Sequence, residues 1–261
     1  MWDFNIRLSS LTLVLLVLLG CSKVNNSTTK IFGHAASGLQ NPNAIYHDNS
    51  LEAIRYSTSL PGCSGVEVDV RMDTQGKLWL FHDNILDVES NLSGKVELTT
   101  TDNLTSGHYR TLHKEPLLRL DIAMTELAQS YTFFDLKLTG ILNAQEVKSA
   151  LLALNYDTTK FALIVSSWSY VEVFKHDFQV FLSVNEMTEL SSEMLEIDSG
   201  IRGICIRSAQ ITREEINFLK SIHKEVICFE VRSPKGIKAA LEKQPTYILT
   251  DDLKIALGLM F

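Results

Sequence analysis

From residue 31 onward, short runs of apolar, β-branched and aromatic residues alternate with longer stretches whose apolar positions recur every three or four residues. The short runs predict strands over Ile31–His34, Gly65–Arg71, Thr132–Leu138, Phe161–Ser166, Gln179–Val184, Gly203–Arg207, Glu225–Val231 and Tyr247–Thr250. Most are apolar nearly throughout, as expected of parallel strands covered on both faces. The amphipathic stretches predict helices over Ser50–Ser59, Asp121–Ser130, Asn143–Leu154, Trp168–Lys175, Glu186–Leu195, Thr212–His223 and Pro234–Glu242. Their starts carry capping signals: Asp48-Asn49 ahead of the first, Ser233 ahead of Pro234, and Thr212 with Glu215 three residues on. Alternating strands and helices imply right-handed parallel crossovers. Eight strands in about 230 residues predict a closed α/β fold, a TIM-type (β/α)8 barrel. A doubly wound open sheet is the alternative, and no Gly-x-Gly-x-x-Gly loop supports it.

One interruption stands out. Asp73-Thr74-Gln75-Gly76 is a turn signal, and Lys77–His82 then reads as a returning strand, so the second strand becomes a hairpin. Asp83 to about Pro116 lacks a helical period and predicts a small insertion after that hairpin.

The amino terminus follows another pattern. Leu8–Leu19 is apolar except for Ser9, Ser10 and Thr12, too short for an easy membrane span and suited to a signal peptide. It ends in Leu18-Leu19-Gly20-Cys21-Ser22, which resembles the lipobox of bacterial lipoproteins. The resemblance implies a signal peptide over 1–20, lipidation and membrane anchoring at Cys21, and a place in the cell envelope, on the periplasmic face of the outer membrane. Residues 21–30 are polar and read as a tether, leaving 31–261 for the barrel.

Composition adds limits. The 261 residues are 45% hydrophobic and 21% charged, with a net charge of −7, so there is no basic footprint and no nucleic-acid partner is expected. Besides Cys21 there are Cys63, Cys205 and Cys228, an odd number that cannot close a disulfide framework. Cys205 and Cys228 lie in strand-like runs, as buried thiols or as a bridge.

In such a barrel, reactive groups stand at the carboxyl ends of strands. There the chain offers His34, then Glu67 and Asp69, then His82-Asp83, then Asp135 and Lys137. An i, i+2 spacing puts both side chains on one strand face. Adjacent inward carboxylates repel unless a cation lies between them, and three suit one hard divalent ion, Mg2+ or Ca2+. No Cys/His spacing fits zinc. His47, His108, His113, His176 and His223 read as solvated, with His47 a candidate for the pocket lining.

These residues resemble the glycerophosphodiester phosphodiesterases, of the PLC-like phosphodiesterase barrel class. The resemblance rests on His34-Ala35-Ala36-Ser37-Gly38, Asp48-Asn49-Ser50, Glu67-Val68-Asp69 running on to His82-Asp83, Asp135-Leu136-Lys137, and the tail Tyr247–Asp252. It implies a metal held by Glu67, Asp69 and Asp135, acid/base catalysis by His34 and His82, and a small phosphodiester substrate. It also implies charge stabilisation by Lys137, a substrate-side or capping role for Asn49, and an aromatic contact from Trp168. The outcome would be a glycerophosphodiester cleaved to an alcohol and a phosphomonoester: a neighbouring hydroxyl attacks and expels the alcohol, giving a cyclic phosphate that water then opens. Three departures bear on the substrate: Ala35 stands where the family has a phosphate-gripping Arg, and Asp48 and Asp135 replace Glu. Arg207 is a candidate substitute grip. A degenerate member that binds without turnover, and a lyase forming cyclic phosphate from lysophospholipids, remain as alternatives.

Overall fold

A computed structural model describes residues 28–39, 41, 43–191 and 200–260. The expected signal peptide, Cys21 and residues 22–27 of the tether lie outside these residues. In chain order the strands are β1 (Lys30–Gly33), β2 (Gly65–Met72), β3 (Leu78–Leu80), β4 (Leu118–Arg119), β5 (Tyr131–Leu136), β6 (Phe161–Val165), β7 (Val180–Val184), β8 (Gly203–Arg207), β9 (Glu225–Val231) and β10 (Tyr247–Thr250). The helices are α1 (Leu51–Ser59), α2 (Thr101–Thr105), α3 (Leu120–Leu127), α4 (Ile141–Ala153), α5 (Trp168–Phe174), α6 (Arg213–Ser221), α7 (Pro234–Lys243) and α8 (Leu253–Met260). Among the described residues no helix is long and apolar enough to cross a membrane.

Among the described residues β1, β2 and β5 through β10 run parallel, and β1 closes the ring by pairing with both β10 and β2. The fold is the (β/α)8 barrel. The near-continuous apolar strands now have a cause, because alternate residues face two different cores. Val66, Val68, Val70, Phe134, Leu163, Val165, Ile204 and Ile206 belong to the outer core that packs against the helices. Phe32, Phe133, Phe181, Ile227, Tyr247 and Leu249 fill the interior. Phe133 lies 5.0 Å from Phe32, 5.1 Å from Tyr247 and 5.5 Å from Phe181 between ring centroids, so the lower barrel is an aromatic plug. Such ring pairs add roughly 0.5–1.5 kcal/mol each beyond area burial and make a rigid floor. Gly65 is required here: its φ is +150°, and a Cβ would sit 1.8 Å from the Tyr131 carbonyl oxygen and 2.8 Å from the Phe32 ring.

Register sets what lies above the plug. Glu67 pairs with Phe133 and Asp69 with Asp135, so the inward face of β2 and β5 passes from aromatic to acidic within two residues. Every residue of β2 is buried. The strand carries its carboxylates into the barrel mouth without access to bulk water.

The hairpin and insertion are present, with more order than the sequence shows. β2 and β3 pair antiparallel around the Asp73–Gly76 turn, and β4, a strand not anticipated, extends the pair to three. Asp73 holds this extension: its carboxylate accepts from the Gln75 and Lys77 amides, the Trp79 indole and the Thr101 hydroxyl. The insertion has its own small core of Trp79, Phe81, Leu86, Val96, Leu104, Tyr109 and Leu117. It also contains helix α2, too short to leave a period in the sequence.

Other boundaries differ. Over the expected helix Glu186–Leu195 the described residues show a single 3-10 turn, Met187–Glu189, and residues 192–195 lie outside them. The first helix is capped by Ser50, whose hydroxyl accepts the Ala53 amide, not by Asp48 or Asn49. Thr212 and Glu215 form the reciprocal capping box, and Ser233 caps the helix that opens on Pro234. Cys63, Cys205 and Cys228 are free thiols, so Cys205 and Cys228 are not bridged.

Candidate active site

His34 is the first residue beyond β1, where the chain turns through Ala35 and Ala36 with φ of +45° and +72°. Its Nδ1 lies 2.8 Å from Asp251 Oδ1, just past β10. A carboxylate only accepts, so Nδ1 carries the proton and Nε2 is turned toward Glu67 Oε2, 3.8 Å away. Asp251 is fixed in turn by the Leu39 amide and Arg232 Nε, each at 2.9 Å. Burial alone would lower the His34 pKa. The hydrogen bond to Asp251 and the charges of Glu67, Asp251 and Asp69 outweigh it and raise the ring to about 9.

Glu67 and Asp69, each 1% exposed, behave differently. Glu67 Oε2 accepts the Ala35 amide at 2.7 Å, while its Oε1 is buried and has no hydrogen-bond partner. Burial, then the neighbouring Asp69 charge, pushes the Glu67 carboxyl up to about 8. Asp69 is clasped by Asn49, whose Nδ2 donates to Oδ2 at 2.8 Å and whose Oδ1 accepts the Asp69 amide at 2.9 Å. Burial would raise Asp69, but the Lys137 ammonium, the His82 ring and these hydrogen bonds hold it below the usual carboxylate range. Lys137, one residue past β5, reaches Asp69 at 2.9 Å and Asp135 at 2.7 Å. Burial disfavours its charge, yet both carboxylates keep the ammonium well above its ordinary pKa.

One oxygen each of Glu67, Asp69 and Asp135 falls within 4.8 Å of the others. The donor set is all oxygen, and Glu67 Oε1 is an orphaned buried acceptor whose unmet demand costs about 1–3 kcal/mol or more. Both features fit a hard divalent cation.

His82 follows β3 by two residues and is close enough to this cluster for its charge to act on Asp69. Its Nδ1 lies 2.9 Å from Asp83 Oδ1, and its carbonyl accepts from Arg71, which also grips Glu97 at 2.6 Å. The two imidazoles thus share one design, a carboxylate on Nδ1. His82 is more exposed than His34.

The remaining expected residues fall elsewhere. Asn49 is wholly buried against Asp69, and with a backbone φ of +56° it leaves the capping of α1 to Ser50. Trp168 opens α5 and packs half-buried against the outer core. Ala35 is buried; its amide donates to Glu67 and its carbonyl accepts the Asn49 amide at 2.9 Å, and its methyl side chain offers phosphate no donor. Arg207 ends β8, 3.2 Å from Glu230 and over the Phe229 ring. His47, expected to be solvated, is stacked on Tyr109 with ring centroids 3.7 Å apart.

Asp251 and Arg232 were missed as members of the site. An acid at the end of the last strand was the available signal, but its partner is 217 residues away in sequence. Asp251→Asn is expected to lower kcat about 10- to 100-fold with little change in KM, since it misorients a ring without removing it. The same change should lower the His34 pKa, read by NMR titration of the imidazole; an unmoved titration together with full turnover would contradict the role.

The family model described as the glycerophosphoryl diester phosphodiesterase family matches residues 34–256. No curated protein matches the chain in the corresponding sequence search. Similar solved structures include a glycerophosphodiester phosphodiesterase from Parabacteroides distasonis, at 16% identity over 90% of this chain and 98% of that one, with a TM-score of 0.75. The phosphodiesterase of Oleispira antarctica in complex with the product sn-glycerol-3-phosphate is 16% identical over 88% and 96%, TM-score 0.76. A glycerophosphodiester phosphodiesterase of Thermotoga maritima is 16% identical over 88% and 98%, TM-score 0.70. At these identities the structures establish the shared barrel.

Proposed function

The chain belongs to the glycerophosphoryl diester phosphodiesterase family and is thereby a phosphoric diester hydrolase; from that premise we propose that it cleaves a glycerophosphodiester to an alcohol and a phosphomonoester with one divalent ion and two histidines. The observation that carries the reading is two carboxylate-backed imidazoles flanking three convergent acids, one of which has an orphaned oxygen. The product held by the Oleispira antarctica structure supports a glycerol-containing substrate.

Glu67, Asp69 and Asp135 would hold the ion, Mg2+ or Ca2+. When bound, it supplies positive charge for the phosphate oxygens and lowers the pKa of an attacking hydroxyl. One imidazole removes the proton from that hydroxyl and the other delivers one to the leaving alkoxide, which leaves a cyclic phosphate; water then opens the ring to the phosphomonoester, with the two proton transfers run in reverse. Lys137, held cationic by two acids, stabilises charge gathering on phosphorus. With Ala35 in the family Arg position, this corner of the site has no bidentate fork for phosphate, and Lys137 would supply the positive charge beside whatever ion Glu67, Asp69 and Asp135 hold. That replacement also favours a second reading, binding without turnover. Release of phosphomonoester from glycerophosphodiesters with Mg2+ or Ca2+, abolished by EDTA, separates the two.

The raised Glu67 carboxyl gives the ion a proton signature. Without the ion Glu67 keeps its proton below about pH 8, and the ion must displace it. Calorimetry near pH 7 in buffers of different ionisation heat should show protons released as the ion binds, from Glu67 and from the His34 ring whose field the ion weakens. Heats independent of buffer would contradict the Glu67 assignment.

The Leu19-Gly20-Cys21 sequence supports a lipidated Cys21 that holds the barrel on a short tether at the cell envelope, on the periplasmic face of the outer membrane. Expression of the full chain in bacteria fed labelled palmitate should give a labelled, membrane-bound protein, and Cys21→Ser should give neither label nor membrane fraction.

A further inference from the structure

A second group of metal-ligating side chains converges at the mouth, outside the cluster of Glu67, Asp69 and Asp135. A ring nitrogen of His47 and one oxygen each of Asp48 and Glu89 lie within 4.8 Å of one another. They arrive from two directions, His47 and Asp48 from the loop between β1 and α1, and Glu89 from the insertion. We propose that His47, Asp48 and Glu89 form a second divalent-cation site, one that takes a first-row transition ion such as Mn2+.

Four observations carry this. The donor set is mixed: an imidazole with two carboxylates suits Mn2+, Co2+ or Zn2+, whereas the oxygen-only cluster below suits Mg2+ or Ca2+. Glu89 Oε2 is shut off from solvent and accepts no hydrogen bond, and Glu89 joins no lysine or arginine ion pair among the described residues. At the first cluster Lys137 meets part of that demand, and here a bound cation would.

The imidazole is also built in. Its ring stacks on Tyr109 at an interplanar angle of 12°, its amide donates to Glu115 Oε1 at 3.0 Å, and its carbonyl accepts from the Ser50 hydroxyl at 2.7 Å. Its Nδ1 lies 2.9 Å from the Asp48 carbonyl oxygen. Imidazole metal ligands are ordinarily steered by such a backbone or carboxylate bond on one nitrogen, and a ring already fixed loses little freedom on binding. Finally, the three residues line a cavity of about 460 Å³ with Asn41, Tyr46 and His113, which leaves room for the ion and its water.

The site is independent of the catalytic reading above. An ion there would add charge near His82 and Asp83, which both act electrostatically on Glu89.

The test uses the full chain saturated with Mg2+, so that the oxygen-only cluster is filled, and titrates Mn2+ by calorimetry and pulsed electron paramagnetic resonance. The expected result is one equivalent of Mn2+ showing nitrogen modulation from a bound imidazole. His47→Asn should remove the modulation, and Glu89→Gln should weaken Mn2+ binding at least tenfold, while both keep the wild-type circular dichroism. Asp69→Asn should leave this Mn2+ and its modulation in place, even if the catalytic assignment fails. The proposal is overturned if Mn2+ binds without nitrogen modulation, if His47→Asn and Glu89→Gln bind it as the wild type does, or if Asp69→Asn alone abolishes it.

Discussion

Asp69→Asn is expected to bind the divalent ion at least 100-fold more weakly and to turn over substrate about 1,000-fold more slowly, a loss near 4 kcal/mol in the transition state. Asp69 sits at the centre of the cluster, touching Asn49 and Lys137 directly and sharing the ion position with Glu67 and Asp135. The amide keeps the shape and can still meet Asn49, but it removes the charge and the strongest anionic ligand. A stability readout separates this from misfolding. In the ion-free wild type, Glu67 has a folded pKa of about 8, raised first by burial and then by Asp69. A raised carboxyl means the folded state holds its proton more tightly than the unfolded chain does. That contribution is present below the unfolded value of about 4.3 and is lost as pH rises through the folded value. The wild type in EDTA should therefore lose thermal stability between about pH 5 and pH 8, and Mg2+ or Ca2+ should restore it. Asp69→Asn lacks the neighbouring charge, so its Tm should fall less over the same range and respond less to the ion. Wild-type turnover in a folded Asp69→Asn protein would remove the ion from the mechanism.

The residues this argument uses were legible to different degrees. Glu67 and Asp69 were legible as one of two i, i+2 charged pairs on consecutive strands beside two histidines, since a single such pair reads as readily as ordinary alternation. The same holds for Asp135 and Lys137, although Lys137 lies past the end of β5 and reaches back to the acids with its long stem. The barrel was legible for a related reason: strands facing two cores must be apolar on both faces, and eight such runs are hard to arrange otherwise.

What escaped the sequence depends on closure of the ring. Asp251 meets His34 only because β10 pairs with β1, and nothing local to Asp251 marks it as a partner of an imidazole. Asn49 looked like a helix cap since Asn before an amphipathic run ordinarily is one; here the left-handed backbone at Asn49 passes that task to Ser50 and aims the amide at Asp69. β4 is two residues long and exists through its pairing with β3, so no periodicity could reveal it. His47 looked solvated because the residue that shields it, Tyr109, comes from an insertion with no regular pattern.

Removing either imidazole should lower turnover about 100- to 10,000-fold while leaving the ion bound, the range expected when one proton transfer loses its positioned partner. His34→Ala and His82→Ala are alike in that respect, and a simple activity assay cannot distinguish them. The leaving group can. A substrate whose departing group is a nitrophenolate needs no proton to leave, so it restores turnover to the variant lacking the general acid and not to the variant lacking the base. Despite burial, the hydrogen bond to Asp251, with the acids around it, raises the His34 pKa in the ion-free protein. An ion on Glu67 and Asp69 cancels part of that field, so the charge His34 carries during turnover depends on whether the ion is present. Asp251→Asn should consequently resemble a mild form of His34→Ala in its response to the leaving group. If one histidine variant is rescued and the other is not, the two rings have divided the proton transfers between them. If both lose the same factor with both substrates, neither ring moves a proton in the rate-limiting step, and the carboxylates behind them serve the fold alone.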